Sequence, residues 1–197
     1  MPDLLRQIPA GAERDLAFSR AGTGRLYYAT RVQFSPTEPL GEMDQGIKVE
    51  RRYEKYVENG DGAAATTFAA GDLVRVTLTF VLTKERRYVA VTDALPAGLE
   101  AVDGWFRTTA ADLANDASTQ NADRGEWWWE RGGFDHVEKF DDRVQLFATR
   151  LAEGRHQFSF LTRATTAGTF KVAGTVAEEM YAPEVKGRSA PVTLVVR

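Results

Sequence analysis

Leu73-Val74-Arg75-Val76-Thr77-Leu78-Thr79-Phe80-Val81-Leu82 is the stretch whose reading decides the fold. Every second side chain from Val74 to Leu82 is apolar, and Arg75, Thr77 and Thr79 take the positions between. Side chains of a strand alternate between its two faces, so this pattern predicts a half-buried antiparallel strand. Weaker versions recur in Leu26 to Phe34, Ile47 to Lys55 and Arg155 to Arg163, with shorter candidates at Leu16 to Arg20, Tyr88 to Asp93, Val144 to Ala148, Gly168 to Val172 and Val192 to Val196. No segment keeps apolar residues at three-and-four spacing over three turns with capping residues, so low helix content is expected.

Turn residues separate these runs: Asn59-Gly60-Asp61-Gly62, Ala70-Gly71-Asp72, Leu95-Pro96-Ala97-Gly98-Leu99, Glu153-Gly154, Ala167-Gly168 and Lys186-Gly187. Many short strands punctuated in this way indicate an all-β protein, an antiparallel immunoglobulin-like sandwich of two sheets burying apolar faces against each other. Two regions break the pattern. Ser35 to Gly46 carries two prolines and few large apolar residues and reads as a linker, which divides the chain into 1–35 and 36–197. Gly104 to Phe134 is too long for an ordinary connection. It reads as an elaborated insertion loop holding Trp105 and Trp127-Trp128-Trp129, folded down by its tryptophans.

The chain has 197 residues, 43% hydrophobic and 27% charged, an ordinary globular composition large enough for a good core. Its 25 Lys+Arg against 28 Asp+Glu leave a formal charge of -3, and the basic residues are scattered pairs. Nucleic-acid binding calls for a positive footprint that is not present, so no such partner is expected. The absence of cysteine removes disulfides, thiolate metal sites and cysteine nucleophiles but leaves the compartment open. No run approaches the roughly 18 apolar residues of a membrane helix, and no direct membrane insertion is expected. Met1 to Ala10 lacks the basic and apolar regions of a secretory signal and reads as a mid-chain connection in a chain cut from something longer.

The chemistry-bearing residues form no recognised catalytic motif, so no enzyme activity, metal or cofactor is expected. His136 and His156 have no companion HExxH pattern or nucleophile elbow and read as structural or surface residues. Asp135, Asp141 and Asp142 fit no calcium-loop spacing. Glu178 and Glu179, adjacent on a strand, would point to opposite faces and cannot flank one bond, which leaves them as a solvated strand end. Gly22-Thr23-Gly24 precedes a strand rather than a helix and reads as a hairpin turn. The three consecutive tryptophans could serve as a sugar platform, core anchors or an inter-domain contact.

Glu178-Glu179-Met180-Tyr181-Ala182-Pro183-Glu184-Val185, followed by Gly187-Arg188-Ser189 and the apolar run Pro191 to Val196, reads as a loop between two strands. A loop displaying Met and Tyr is unusual for a connection that need only be soluble. Burial at the sandwich end and contact with a partner are both open for these two residues.

Taken together, Gly22 to Tyr28, Asp44 to Arg51, Asp93 to Glu100, Asp141 to Val144 and Glu179 to Pro183 resemble, in order and spacing, the C-terminal end of bacterial alpha-2-macroglobulins. The resemblance spans nearly the whole chain. It implies the last macroglobulin-like β-sandwich domain, with residues up to about Phe34 similar to the end of the preceding domain. Members of that family are large periplasmic protease traps in which cleavage of a bait region frees a thioester to capture the protease. The resemblance therefore implies a periplasmic protease inhibitor, with a membrane-anchored lipoprotein as one form its parent can take, whose partners are the thioester domain of the same chain and, through the parent, target proteases. It also implies that Met180 and Tyr181 lie at the interface that shields the thioester. Set against this are two readings from other classes: an immunoglobulin-like structural or adhesive domain, and a carbohydrate-binding module using the tryptophans.

Overall fold

A computed structural model describes residues 15, 17–31, 40–57, 62–102 and 132–197. Its contacts divide the chain into two compact units, Met1–Ser35 and Pro36–Arg197. In the first unit no described residue is in a strand, contrary to the strands expected at Leu16 to Arg20 and Leu26 to Phe34, over residues 17–20 and 26–31; residues 16 and 32–34 lie outside the described residues. A strand needs a neighbour for its backbone hydrogen bonds, and alternation alone does not supply one. Leu26, Tyr27 and Tyr28 are exposed, and the Phe18 ring instead stacks on Tyr28 at 4.6 Å between centroids. Gly22 and Gly24 form a bend with φ of 96° and 122°, a turn without the hairpin expected of it.

The described residues of the second unit form thirteen strands. Strand β4 (Leu73–Leu82) lies between β2 (Lys48–Lys55) and β9 (Gly154–Ala164), with β6 (Leu99–Ala101) beyond β9. A six-stranded sheet has the order β1 (Met43–Gln45), β12 (Ala182–Arg188), β11 (Val176–Glu179), β5 (Arg86–Ala94), β8 (Arg143–Leu151) and β7 (His136–Lys139). The third sheet is β10 (Gly168–Val172), β13 (Val192–Val196) and β3 (Thr67–Phe68). Pairings between strands are antiparallel apart from β13 with β3. The architecture is the all-β antiparallel sandwich that the alternation predicts, and buried residues from all three sheets form one core.

Val74, Val76, Leu78 and Phe80 are fully buried, as the β4 pattern requires, but Thr77 and Thr79 on the opposite face are buried too. The strand is therefore covered on both faces rather than half-buried. Glu50, Arg52 and Glu54 from β2 and Arg155 and Gln157 from β9 line one groove with the two threonines, and long side chains from both neighbours shade the small ones between them. Thr77 and Ser159 add a hydroxyl pair across the ladder at 3.0 Å.

Two further expectations are corrected by sheet pairing. Ser35 to Gly46 is not a linker throughout: Met43, Asp44 and Gln45 pair with Arg188, Gly187 and Lys186 as edge strand β1. The stretch from Glu178 to Arg188 is not an open loop but a hairpin of β11 and β12. The tryptophans of 104–134 lie outside the described residues. The end of that segment returns to the core at Phe134, which is fully buried and meets Phe80 edge-on at 5.2 Å.

Candidate interaction site

Strand β11 is held on both sides, pairing with β5 from Val176↔Thr92 to Glu179↔Val89 and with β12 from Val176↔Arg188 to Glu179↔Ala182. Only Met180 and Tyr181 connect β11 to β12, so the two residues form the turn of a hairpin fixed to the sheet. Between Glu178↔Lys186 and Glu179↔Ala182 the register slips, which leaves Pro183, Glu184 and Val185 as a bulge on β12. Pro183 has no N–H to give a ladder, and a bulge is a place where that loss has no consequence.

The tip side chains face out: Met180 is 54% and Tyr181 79% exposed. A third apolar residue stands beside them, Tyr88 of β5, 48% exposed. Its carbonyl accepts the Met180 N–H at 2.8 Å. Its ring meets that of Tyr181 edge to face, with centroids 5.2 Å apart and planes at 87°. Tyr88 has φ of 51°, and pairing of β5 with β8 runs Arg87↔Arg150 and then Val89↔Ala148, passing over it. The N–H of Thr149, on the strand opposite, is taken by the Asp135 carboxylate.

The hairpin base is tied by charge. The Arg86 guanidinium is buried, donates from Nε and Nη2 to the Gly46 carbonyl at 3.1 and 2.9 Å, and has Nη1 3.9 Å from Glu179 Oε1. Glu179 Oε1 also accepts the Arg87 N–H at 3.3 Å. Glu178 is exposed, as a solvated strand end should be, whereas Glu179 is a partly buried anchor. Around the tip, Glu85 bridges Arg87 and Arg150 at 3.0 and 2.7 Å, and those hydrogen bonds hold its carboxyl below the usual range. A rigid sheet thus presents a small thioether and aromatic surface bordered by paired charges. It is suited to contact with an apolar surface.

The sequence offers Tyr88 only as the start of an ordinary strand, and no residue pattern singles it out. Val89 and Val91 point into the core, and strict alternation would place Arg87 there as well; the structure buries Arg86 instead and leaves Arg87 and Tyr88 both exposed. Two successive outward residues mark the break in pairing.

A second polar centre lies in the interior. Arg51 Nη1 is 2.8 Å from Asp93 Oδ1, with both side chains almost fully buried. Thr175 Oγ1 donates to the same oxygen at 2.7 Å, and Arg51 Nη2 donates to the Ala173 carbonyl at 2.8 Å. Asp93 Oδ2 and the nearby Tyr53 hydroxyl are buried without a hydrogen-bond partner. Burial raises the Asp93 carboxyl above its ordinary value. Arg51 and Thr175 act in the opposite sense, but both donate to Oδ1, and the bare Oδ2 keeps the desolvation cost dominant. Burial likewise pushes the Tyr53 phenol up. These groups lie closed in the core and serve as a structural tie.

The other candidates do not assemble. His156 lies between the carbonyls of Gly132 and Ala152 at 3.0 and 2.8 Å, and His136 sits on the surface 3.1 Å from Glu138. Asp142 pairs with Arg143 at 2.8 Å. Among the described residues no three His, Cys, Asp or Glu side chains are grouped to hold a metal ion.

A family model of the bacterial alpha-2-macroglobulin MG10 domain matches residues 46–184. Over 200 aligned residues the chain is 30% identical to an alpha-2-macroglobulin homolog of a Nostoc species, covering 98% of this chain and 10% of that protein. It is 28% identical to an alpha-2-macroglobulin of Xylella fastidiosa, covering 95% and 11%. Among solved structures, Salmonella alpha-2-macroglobulin reacted with methylamine superposes with a TM-score of 0.62 at 26% identity, covering 82% of this chain and 10% of that one. Escherichia coli alpha-2-macroglobulin activated by porcine elastase gives a TM-score of 0.65 at 24% identity over 82% and 14%, a likeness of fold. The chain spans about a tenth of the length of these curated relatives. With a family model covering most of its sandwich, this chain belongs to the bacterial alpha-2-macroglobulins and carries their MG10 macroglobulin domain.

Proposed function

We propose that this chain works as the last macroglobulin domain of a periplasmic, protease-trapping alpha-2-macroglobulin, and that the Met180–Tyr181 tip packs on the thioester domain of the same protein until bait cleavage moves the two apart. The domain is not an enzyme in this reading. Its contribution is to exclude water and small nucleophiles from a reactive bond carried elsewhere. The observation that carries the proposal is the exposure of Met180 and Tyr181 on a hairpin whose base is fixed by pairing on both sides and by Arg86.

The physical case has two parts. A thioester lasts only where water is kept away, and an apolar tip on a rigid support excludes water at low entropic cost. Covering a side chain the size of Met or Tyr is worth about 1.5–3 kcal/mol, so a two-residue contact stabilises a closed arrangement and still yields to a conformational change elsewhere. Relatives add chemical context. The Salmonella protein has been captured after reaction with methylamine, a small nucleophile, and the E. coli protein after activation by elastase and by trypsin.

The test is the Met180→Ala/Tyr181→Ala double variant of the full-length protein. Spontaneous thioester loss, followed by the release of free thiol, should accelerate about tenfold, equivalent to about 1.4 kcal/mol of lost protection, and methylamine should be incorporated faster. An unchanged half-life and methylamine rate would contradict the proposal.

A further inference from the structure

We propose that Tyr88 is a positioning residue for the tip, holding the Tyr181 ring in the orientation in which it meets its partner; the inference rests on the shielding role proposed above. Among the described residues Tyr88 is the one non-glycine with positive φ. A side chain in that region crowds the following carbonyl, a penalty that glycine escapes. Such a residue persists where its surroundings over-determine it, and here they do. Pairing with β8 continues in register on both sides, at Arg87 and Val89, while the Tyr88 carbonyl is engaged by the Met180 N–H.

Glycine would make the same backbone hydrogen bond without strain. What tyrosine adds is the ring, and the ring is spent on Tyr181: the centroids are 5.2 Å apart in the edge-to-face arrangement that aromatic pairs favour. A tyrosine on a two-residue turn, with nothing beside it, would sample several rotamers and lose that freedom on contact. A braced ring has less to lose, so the partner meets a pre-formed surface. Tyr88 therefore acts through Tyr181, and its own exposed face extends the same apolar patch.

The experiment follows thioester lifetime in the full-length protein for Tyr88→Gly, Tyr88→Phe and the Met180→Ala/Tyr181→Ala reference, with the unfolding transition of each recorded alongside. Tyr88→Gly is expected to shorten the lifetime several-fold while leaving the transition temperature equal or higher, because the backbone strain is relieved. Tyr88→Phe, which keeps the ring edge, is expected to match the parent. A wild-type lifetime in Tyr88→Gly, with a shortened one in the reference, would overturn the role of Tyr88 and leave the shield intact. Equal damage from Tyr88→Phe, or a lifetime loss accompanied by a lower transition temperature, would also overturn it. An unchanged lifetime in the reference itself would remove the shielding role, and the role of Tyr88 with it.

Discussion

Arg51 and Asp93, 42 residues apart in the chain, form a 2.8 Å ion pair with both side chains closed off from solvent. The pair ties β2, in one sheet, to β5, in another. Breaking a buried pair by removing one partner strands the other charge, whereas replacing both by apolar groups removes the problem. Asp93→Ala should therefore cost about 3–5 kcal/mol, and Arg51→Met combined with Asp93→Leu far less. Urea unfolding of the chain measures both, and an Asp93→Ala loss below about 1 kcal/mol would fall outside any buried-pair account.

The same carboxyl predicts a pH dependence. Because burial raises the folded-state value of Asp93 above the ordinary 3.8, the folded state binds the proton more tightly than the unfolded one. Its stabilising contribution is then complete below the ordinary value and is lost as pH rises through the raised one. Comparison with Asp93→Asn, which cannot titrate, isolates the effect. The stability of the parent relative to the variant should be greatest in acid and should decline as pH rises above the ordinary carboxyl value; a relative stability that increases there would reverse the sign.

Two glycines should differ in what they tolerate. A Cβ on Gly187 would stand 1.7 Å from the backbone oxygen of Ile47, whereas one on Gly98 would stand 2.3 Å from the Phe170 ring. A partly exposed ring can turn aside and a backbone carbonyl cannot. Gly98→Ala should cost about 1–3 kcal/mol and be largely recovered by Phe170→Ala. Gly187→Ala should cost more, with no single side-chain change restoring it. Equal losses in thermal or urea unfolding would contradict this distinction.

The strands with apolar alternation, β2, β4, β5, β8, β9, β10 and β13, could be read directly, because each carries a recognisable pattern of its own. Several of the others could not. Residues such as Met43 to Gln45 and His136 to Lys139 carry little apolar periodicity and are strands only because a neighbour offers hydrogen bonds. Ala182 to Arg188 read as a loop because it contains proline and glycine, yet Pro183 falls in a bulge and Gly187 where strand and Ile47 carbonyl nearly touch. The buried ion pair was foreshadowed by its company: Arg51 shares the inner face of β2 with Val49 and Tyr53, and Asp93 that of β5 with Val89 and Val91. A charge in that position calls for an opposite one. Met180 and Tyr181 were visible as residues out of place in a connection. Their neighbour Tyr88 depended on a backbone conformation that composition does not encode.

Because Met180 and Tyr181 lie outside the core, alanine at both should change the unfolding free energy of the chain by no more than about 1.5 kcal/mol, the lost ring contact with Tyr88 included. Chemical denaturation checks this. A loss of 2 kcal/mol or more, about what a core truncation produces, would make the tip a folding element rather than a contact.

In the proposed closed arrangement Tyr181 touches the thioester domain before cleavage and leaves it afterwards. The direct measurement places a photoreactive benzophenone amino acid at position 181 of the full-length protein, with irradiation before and after treatment with a bait-cleaving protease and the cross-linked peptides identified by mass spectrometry. The account predicts cross-links to peptides bordering the thioester in the native protein, lost on cleavage. Cross-links confined to this domain, or a pattern that cleavage leaves unaltered, would contradict it.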